Sequence, residues 1–159
     1  LLNGRAEAVY GEGTGHFIYR LDGSRVESPE NISKIEFLTE ISSYDQGREQ
    51  TDAKKHPTDV ELEVNGMKVG RWLIPDRPID SRGVLSWLNG YKGGAYGYLK
   101  RALVPRDKLD RIKRILAGGE ALNIKVSVPP TNPVHRGGLT IYGTELGRFP
   151  LGLAVKIEY

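Results

Sequence analysis

The chain has 159 residues, a length typical of one domain that buries a hydrophobic core without disulfides or metal ions. It contains no cysteine, which excludes a disulfide framework, a thiolate metal site and a cysteine nucleophile, and which fits a reducing compartment. The net charge of +3 is too small to indicate a nucleic-acid-binding protein, and no apolar run is long enough to span a membrane. The N-terminal residues lack the pattern of a signal peptide, so we predict a cytoplasmic protein with no membrane partner.

Short segments in which apolar and polar residues alternate recur along the chain, separated by glycine and proline. In chain order they cover residues 5–10, 16–21, 34–41, 60–69, 122–128, 139–142 and 151–159. At least seven strands with turns between them predict an all-β domain, a β-sandwich of jelly-roll type. The sequence has no internal repeat and no linker, so residues 1–159 are predicted to form a single domain.

The segment 60–69 is the clearest hairpin, because Asn65-Gly66 supplies the two residues of positive φ that a tight turn requires. The apolar pairs predicted to face the core are Val64 with Met67 and Leu62 with Val69. In the same register Glu63 pairs with Lys68 on the opposite face. Trp72 is predicted to lie on that opposite face too, away from the core.

Residues 105–119 break the alternation and have the periodicity of one amphipathic helix, which begins near Pro105 and ends near Gly118. The residues of its apolar stripe are Leu109, Ile112 and Leu116. We predict that this helix lies across a sheet or closes one end of the sandwich. Residues 100–114 carry a net charge of +5, from seven basic and two acidic side chains. No base-reading residues accompany them, so a solvated helix face explains this charge better than contact with phosphates.

Two long loops interrupt the strand pattern, at residues 47–57 and 75–97. Long loops on a rigid scaffold are where binding residues concentrate. Because the strands of a sandwich end at common rims, we predict that these two loops meet the connection 129–138 at one rim.

The aromatic residues of this region are the strongest candidates for ligand binding, because sugars present flat apolar faces that stack on aromatic rings. The residues predicted to stack on a ligand are Trp72, Trp87, Tyr91 and Tyr96. The polar residues predicted to fix its orientation are Asp76, Asp80, Arg82, His56 and His135. For each aromatic residue taken singly, an equally good explanation is that it closes an end of the sandwich.

The sequence predicts no catalytic residue, no cofactor and no metal site. His16, His56 and His135 have none of the short spacings of metal-binding histidine pairs. A glycosidase would need two carboxylates about 5–9 Å apart. The carboxylates considered for that role are Glu40, Asp59, Asp76, Asp80 and Glu145. With twenty acidic residues in the chain, no pair is singled out by the sequence.

Several motifs follow one another in a characteristic order between about residue 32 and the end of the chain. They are His56-Pro-Thr-Asp-Val-Glu-Leu-Glu-Val-Asn-Gly66, Gly70-Arg-Trp72, Pro75-Asp76, Arg82-Gly83, Tyr96-Gly-Tyr-Leu-Lys100 and His135-Arg-Gly-Gly-Leu-Thr-Ile-Tyr-Gly143. In this order they resemble the all-β C-terminal domain that follows a winged helix in bacterial ArsR-type transcriptional regulators.

The resemblance implies a non-catalytic ligand-sensing or dimerisation domain of a transcriptional regulator. It implies contact with DNA only through a separate winged helix, absent from this chain, and it makes a homodimer an expectation. The start at Leu1, without a methionine, agrees with a preceding segment. We predict a small molecule or a sugar as the ligand. Two alternatives stay open: a carbohydrate-binding module of a glycoside hydrolase, and a small glycan-active enzyme on the same sandwich.

Overall fold

The computed structural model describes residues 8–11, 13–44, 57–75, 78, 97–132, 134–135, 137–144, 147–149 and 151–159. In these ranges the strands are β1 (Ala8–Gly11), β2 (Gly15–Leu21), β3 (Lys34–Ser43), β4 (Thr58–Val64), β5 (Met67–Ile74), β6 (Tyr98–Leu103), β7 (Leu122–Val128), β8 (Leu139–Tyr142) and β9 (Leu153–Glu158). Helix α1 covers Arg106–Ala117, and two short 3-10 helices cover Gly23–Arg25 and Pro29–Asn31.

The strands form two antiparallel sheets with the hydrophobic core between them. In the first sheet the order is β1-β8-β3-β6, and β9 pairs with the same edge of β3 as β8 does. In the second sheet the order is β2-β7-β4-β5. Most connections pass from one sheet to the other, as in a jelly roll. The predicted all-β sandwich with one helix is confirmed.

Strand β3 lies in the middle of the first sheet and is buried on both of its faces. Its inner face carries the core residues Ile35, Phe37 and Ile41, all fully buried. Its outer face carries Glu36, Glu40 and Ser42, which are buried as well although they are polar. Buried polar side chains need hydrogen-bond partners, and Glu40 finds them in three backbone N–H groups.

Helix α1 closes one end of the sandwich, as predicted. Ile112 and Leu116 are buried, and the helix packs against both 3-10 helices and β7. Pro105 was predicted to be the first helical residue, but the helix begins one residue later, at Arg106. Gly118 ends the helix, as predicted. No helix among the described residues is long and apolar enough to cross a membrane.

Strand β6 was not predicted, because its sequence Tyr-Leu-Lys-Arg-Ala-Leu does not alternate. Its register with β3 places Lys100 opposite Thr39, on the inner side of the first sheet. The Lys100 ammonium group lies 5.4 Å from the centre of the Tyr98 ring. A lysine can occupy the inner side of an edge strand, because its long side chain reaches the open edge.

The hairpin register is partly wrong in the prediction, because β5 contains a β-bulge. Val64 pairs with Met67 and Glu63 with Lys68, as predicted, but Leu62 pairs with Gly70 instead of Val69. The extra residue reverses the alternation of every following position in β5.

Trp72 is therefore not on the Glu63 face, where the regular register placed it. It pairs with the fully buried Val60, on the inner face of the second sheet. Its neighbour Leu73 points outward and is 50% exposed.

Candidate ligand-binding site

One end of the sandwich, opposite the end closed by α1, carries the long loops, and we call it the loop rim. Strands β3, β5 and β7 end there, and strands β4, β6 and β8 begin there. The connections between these strands are residues 44–57, 75–97 and 129–138. The structure describes residues 44, 57, 75, 78, 97, 129–132, 134–135 and 137–138 of these connections, so the meeting of the three loops stays a prediction.

Hydrogen bonds join the described ends of the loops across the two sheets. The Thr58 hydroxyl group donates to the carbonyl oxygen of Gly138 at 2.7 Å. The Asp59 N–H group donates to the carbonyl oxygen of His135 at 3.1 Å. Thr58 also pairs with Ile74 at the end of β5. The start of β4 therefore contacts the end of β5 and described residues of the connection 129–138.

Four polar side chains form a cluster at this point, on the outer side of the second sheet, and we call it the rim cluster: Asp59, Arg71, Asn132 and His135. Nη2 of Arg71 donates to Oδ2 of Asp59 at 2.8 Å. Nδ1 of His135 lies 3.4 Å from Oδ1 of Asp59 and 2.9 Å from Nδ2 of Asn132. The Asp59 carboxylate is buried, whereas the side chains of Arg71 and His135 are 60% and 29% exposed. Two members of the cluster can therefore reach a ligand.

The ionisation of Asp59 follows from its surroundings. Burial acts to raise the pKa of this carboxyl group, but the hydrogen bond and charge of Arg71, together with His135, outweigh burial and lower the pKa. Asp59 is therefore an anion at neutral pH and a fixed hydrogen-bond acceptor. The general acid of a glycosidase needs a raised pKa, so Asp59 suits binding better than proton donation.

His135 lies between the Asp59 carboxylate and the Asn132 amide, and its Nδ1 atom can form a hydrogen bond with only one of them at a time. A protonated Nδ1 donates to Asp59, whereas an unprotonated Nδ1 accepts from the amide of Asn132. In both cases Nε2 has no hydrogen-bond partner among the described residues. That nitrogen is the part of the ring available to a ligand.

Trp72 connects the two sheets at their common edge. Its Nε1–H group donates to the carbonyl oxygen of Arg101 in β6 at 3.1 Å, and its ring packs against the core. Gly70 leaves room for this arrangement, because a Cβ atom there would lie 2.9 Å from Cβ of Ala102. Trp72 thus has a structural role, and its contact with a ligand stays a prediction.

The remaining residues of the sequence-predicted site lie outside the described residues. They are His56, Asp76, Asp80, Arg82, Trp87, Tyr91 and Tyr96. Of the nine residues predicted to bind a ligand, the structure describes only Trp72 and His135, and it places them on opposite faces of the second sheet.

Sequence reasoning missed an aromatic pair at the loop rim. The rings of Tyr10 and Tyr44 lie with centroids 4.7 Å apart and planes tilted by 32°. Tyr10 is 48% exposed, and Tyr44 is buried. The pair lies on the outer face of the first sheet, across the rim from the rim cluster. Only the pairing of β1 with β8 and of β8 with β3 brings these residues together, so a local pattern could not reveal them.

Glu40 was considered as a catalytic acid or base, but its position rules out contact with a substrate. Its side chain is fully buried. Oε1 accepts from the N–H groups of Gly97 at 2.7 Å and Arg148 at 3.0 Å, and Oε2 accepts from that of Phe149 at 2.7 Å. The carboxylate holds backbone segments in place.

Two further features of the described residues concern binding. A shallow groove of about 400 Å³ lies near the end closed by α1, and its lining residues are Arg25, Glu27, Ser28, Asn31 and Tyr159. No group of three histidine, aspartate or glutamate side chains in the described ranges could hold a metal ion.

No family model matches the chain, and no curated protein matches it. Among solved structures, the chain is similar to the CBM36-1 domain of a multidomain xylanase from the hindgut metagenome of Trinervitermes trinervoides. The identity is 11% and the TM-score is 0.36, over 86% of this chain and 76% of that one. A likeness of this degree carries no inference about the ligand of this chain. The resemblance to ArsR-type regulators therefore remains a prediction.

Proposed function

We propose that this protein is a non-catalytic binding domain for carbohydrate and that the ligand contacts the rim cluster. The observation that carries this proposal is a buried, ionised carboxylate at the rim, held by Arg71 and His135, whose own side chains remain accessible. Asp59 is fixed before any ligand arrives, so little conformational freedom is lost on binding.

The chemistry of the cluster suits hydroxyl groups. A sugar hydroxyl both donates and accepts a hydrogen bond, and it therefore needs acceptors and donors close together. Arg71 donates, and Nε2 of His135 donates or accepts according to its tautomer, while the buried Asp59 carboxylate holds both side chains in place. Burial of Asp59 excludes water from one side of the cluster, which strengthens its hydrogen bonds.

The apolar part of such a site would come from aromatic rings. The loop 75–97, with the predicted stacking residues Trp87, Tyr91 and Tyr96, leaves β5 two positions after Leu73, the cross-strand partner of Asp59. On the other side of the rim, Tyr10 offers an exposed ring.

Binding can be tested by affinity electrophoresis against a panel of soluble plant, fungal and bacterial polysaccharides, followed by calorimetry with the best of them. We expect Arg71→Ala and His135→Ala to weaken binding at least tenfold, because each removes an accessible hydrogen-bonding group. Trp87→Ala should weaken binding at unchanged stability if this ring stacks on the sugar. Tyr159→Ala, at the opposite end of the sandwich, is the matched control and should bind normally.

Two results would contradict the proposal: no binding to any polysaccharide of the panel, or equal loss of binding in the Tyr159→Ala control. The variant Tyr10→Ala shows how far the bound ligand extends across the rim. Weaker binding in this variant assigns both sides of the rim to the ligand, and unchanged binding confines the ligand to the side of the rim cluster.

A sensory role in transcription is a second proposal, supported by the order of motifs from His56 to Gly143. In that case a winged helix is encoded upstream of Leu1, and the sugar that binds the rim changes the affinity of the full-length protein for its operator. Reading the coding sequence upstream of Leu1 tests the first part. A signal peptide there would favour the carbohydrate-binding module of a glycoside hydrolase instead.

A further inference from the structure

We propose that Glu40 is the positioning residue of the loop rim: one buried carboxylate fixes the backbone at Gly97 and at residues 147–149 together. The inference rests on the proposed function only for its effect on ligand binding. The positioning itself stands on the hydrogen bonds of Glu40, whose partners are 57, 108 and 109 positions away in the sequence.

The buried position of Glu40 depends on its hydrogen-bond partners. An ionisable side chain in the interior is unfavourable unless its oxygens are fully satisfied by donors. Glu40 meets this condition with three backbone N–H groups at 2.7–3.0 Å. Those N–H groups in turn have the two side-chain oxygens of Glu40 as acceptors. The two segments therefore depend on Glu40 as much as Glu40 depends on them.

Both backbone segments fit closely against β3 and the Glu40 side chain. Gly147 has a φ of +103°, and a Cβ atom on it would lie 2.5 Å from Oε2 of Glu40. A Cβ atom on Gly97 would lie 2.5 Å from the carbonyl oxygen of Ile41. Both backbones thus approach β3 at distances that a side chain would prevent. Neither segment can move away without breaking its bond to Glu40.

The backbone partners of Glu40 lie in two connections between strands. Gly97 is the residue before β6, so it ends the connection 75–97 that starts at β5 beside the rim cluster. Residues 147–149 belong to the connection between β8 and β9. Glu40 lies three residues before the end of β3 at the rim, and it pairs with Leu99 of β6. Glu40 is thus linked to the end of the connection 75–97 through Gly97.

The test compares Glu40→Gln with the matched control Glu36→Gln. Both glutamates are buried on the outer face of β3, but Glu36 binds the exposed side chain of Arg101 instead of backbone groups. The glutamine at position 40 keeps one acceptor oxygen and turns an amide donor towards Phe149 N–H. We expect faster hydrogen exchange at the Gly97 and Phe149 amides and at least fivefold faster trypsin cleavage after Arg148, under conditions where the protein stays folded.

Coupling between the two segments is tested with Gly147→Ala, which pushes against Oε2. We expect faster exchange at the Gly97 amide, 50 positions away, in this variant but not in Glu36→Gln. Unchanged exchange at Gly97 in both Glu40→Gln and Gly147→Ala would overturn the proposal and leave Glu40 a simple core residue.

The effect of Glu40 on ligand binding is measured with the polysaccharide that binds the unmodified protein best. We expect its dissociation constant to rise at least fivefold in Glu40→Gln and to stay unchanged in Glu36→Gln. If no polysaccharide binds the unmodified protein, the proposed function fails, whereas the exchange and cleavage results still decide the role of Glu40. Faster exchange at Gly97 with unchanged affinity would overturn its positioning of the ligand site.

Discussion

The β-bulge in β5 decides which of two neighbouring residues, Trp72 or Leu73, faces the core. With the bulge, Trp72 faces the core and Leu73 faces solvent; with the regular register of an Asn-Gly hairpin, the faces are exchanged. Alanine at each position, measured separately, therefore reports which register the protein has.

The magnitudes follow from the surroundings of each side chain. Truncation of a fully buried tryptophan costs about 3–5 kcal/mol, and Trp72 is partly buried, so we expect about 3 kcal/mol for Trp72→Ala. About 1 kcal/mol of this is the hydrogen bond from the indole N–H to the Arg101 carbonyl. Trp72→Phe should lose that bond and some packing, about 1–2 kcal/mol in total. Leu73→Ala removes a half-exposed side chain and should cost about 0.5 kcal/mol.

Urea unfolding followed by circular dichroism gives these free energies, provided that the slope with denaturant stays constant among the variants. Equal losses for Trp72→Ala and Leu73→Ala, or a larger loss for Leu73→Ala, would refute the bulged register. The result does not depend on any ligand, so it tests the fold independently of the proposed function.

Three other substitutions test single contacts. Asp59→Asn should destabilise the protein by about 1 kcal/mol at neutral pH, because Arg71 loses a charged partner but remains solvated. Since folding lowers the pKa of Asp59, this stabilisation is present above the usual carboxyl pKa and lost below it. The stability difference between the two proteins should therefore shrink as the pH falls from about 5 to about 3 in a urea series; a constant difference would contradict this. Gly23→Ala should lower the melting temperature by several degrees, because its Cβ atom would lie 1.9 Å from the Glu120 carbonyl oxygen; an unchanged melting temperature would disprove that close approach. Asn65→Gly should cost about 1 kcal/mol in urea unfolding although glycine suits the positive φ, because the asparagine side chain also makes two hydrogen bonds beyond the hairpin; stabilisation would show that backbone strain at residue 65 outweighs them.

The sequence by itself determined every described strand except β6, and it determined where the helix and the hairpin turn lie. Apolar alternation in residues 34–41 and 122–128 reflects burial of one strand face, and the Asn65-Gly66 turn depends only on the φ angles that these two residues tolerate. These features are local, so a short window of residues contains the physical information that decides them.

Only the tertiary structure decided which face Trp72 occupies, that residues 98–103 form an edge strand, and which side chains meet at the rim. A bulge conserves the local pattern but reverses every later side chain, and the bulged register places Gly70 against Ala102 of the other sheet, where a Cβ atom would not fit. Asp59 and His135 are 76 positions apart, and Glu40 and Phe149 are 109 positions apart. Contacts over such separations depend on strand order and register, which are set by packing between the sheets and leave no periodic signal in the chain.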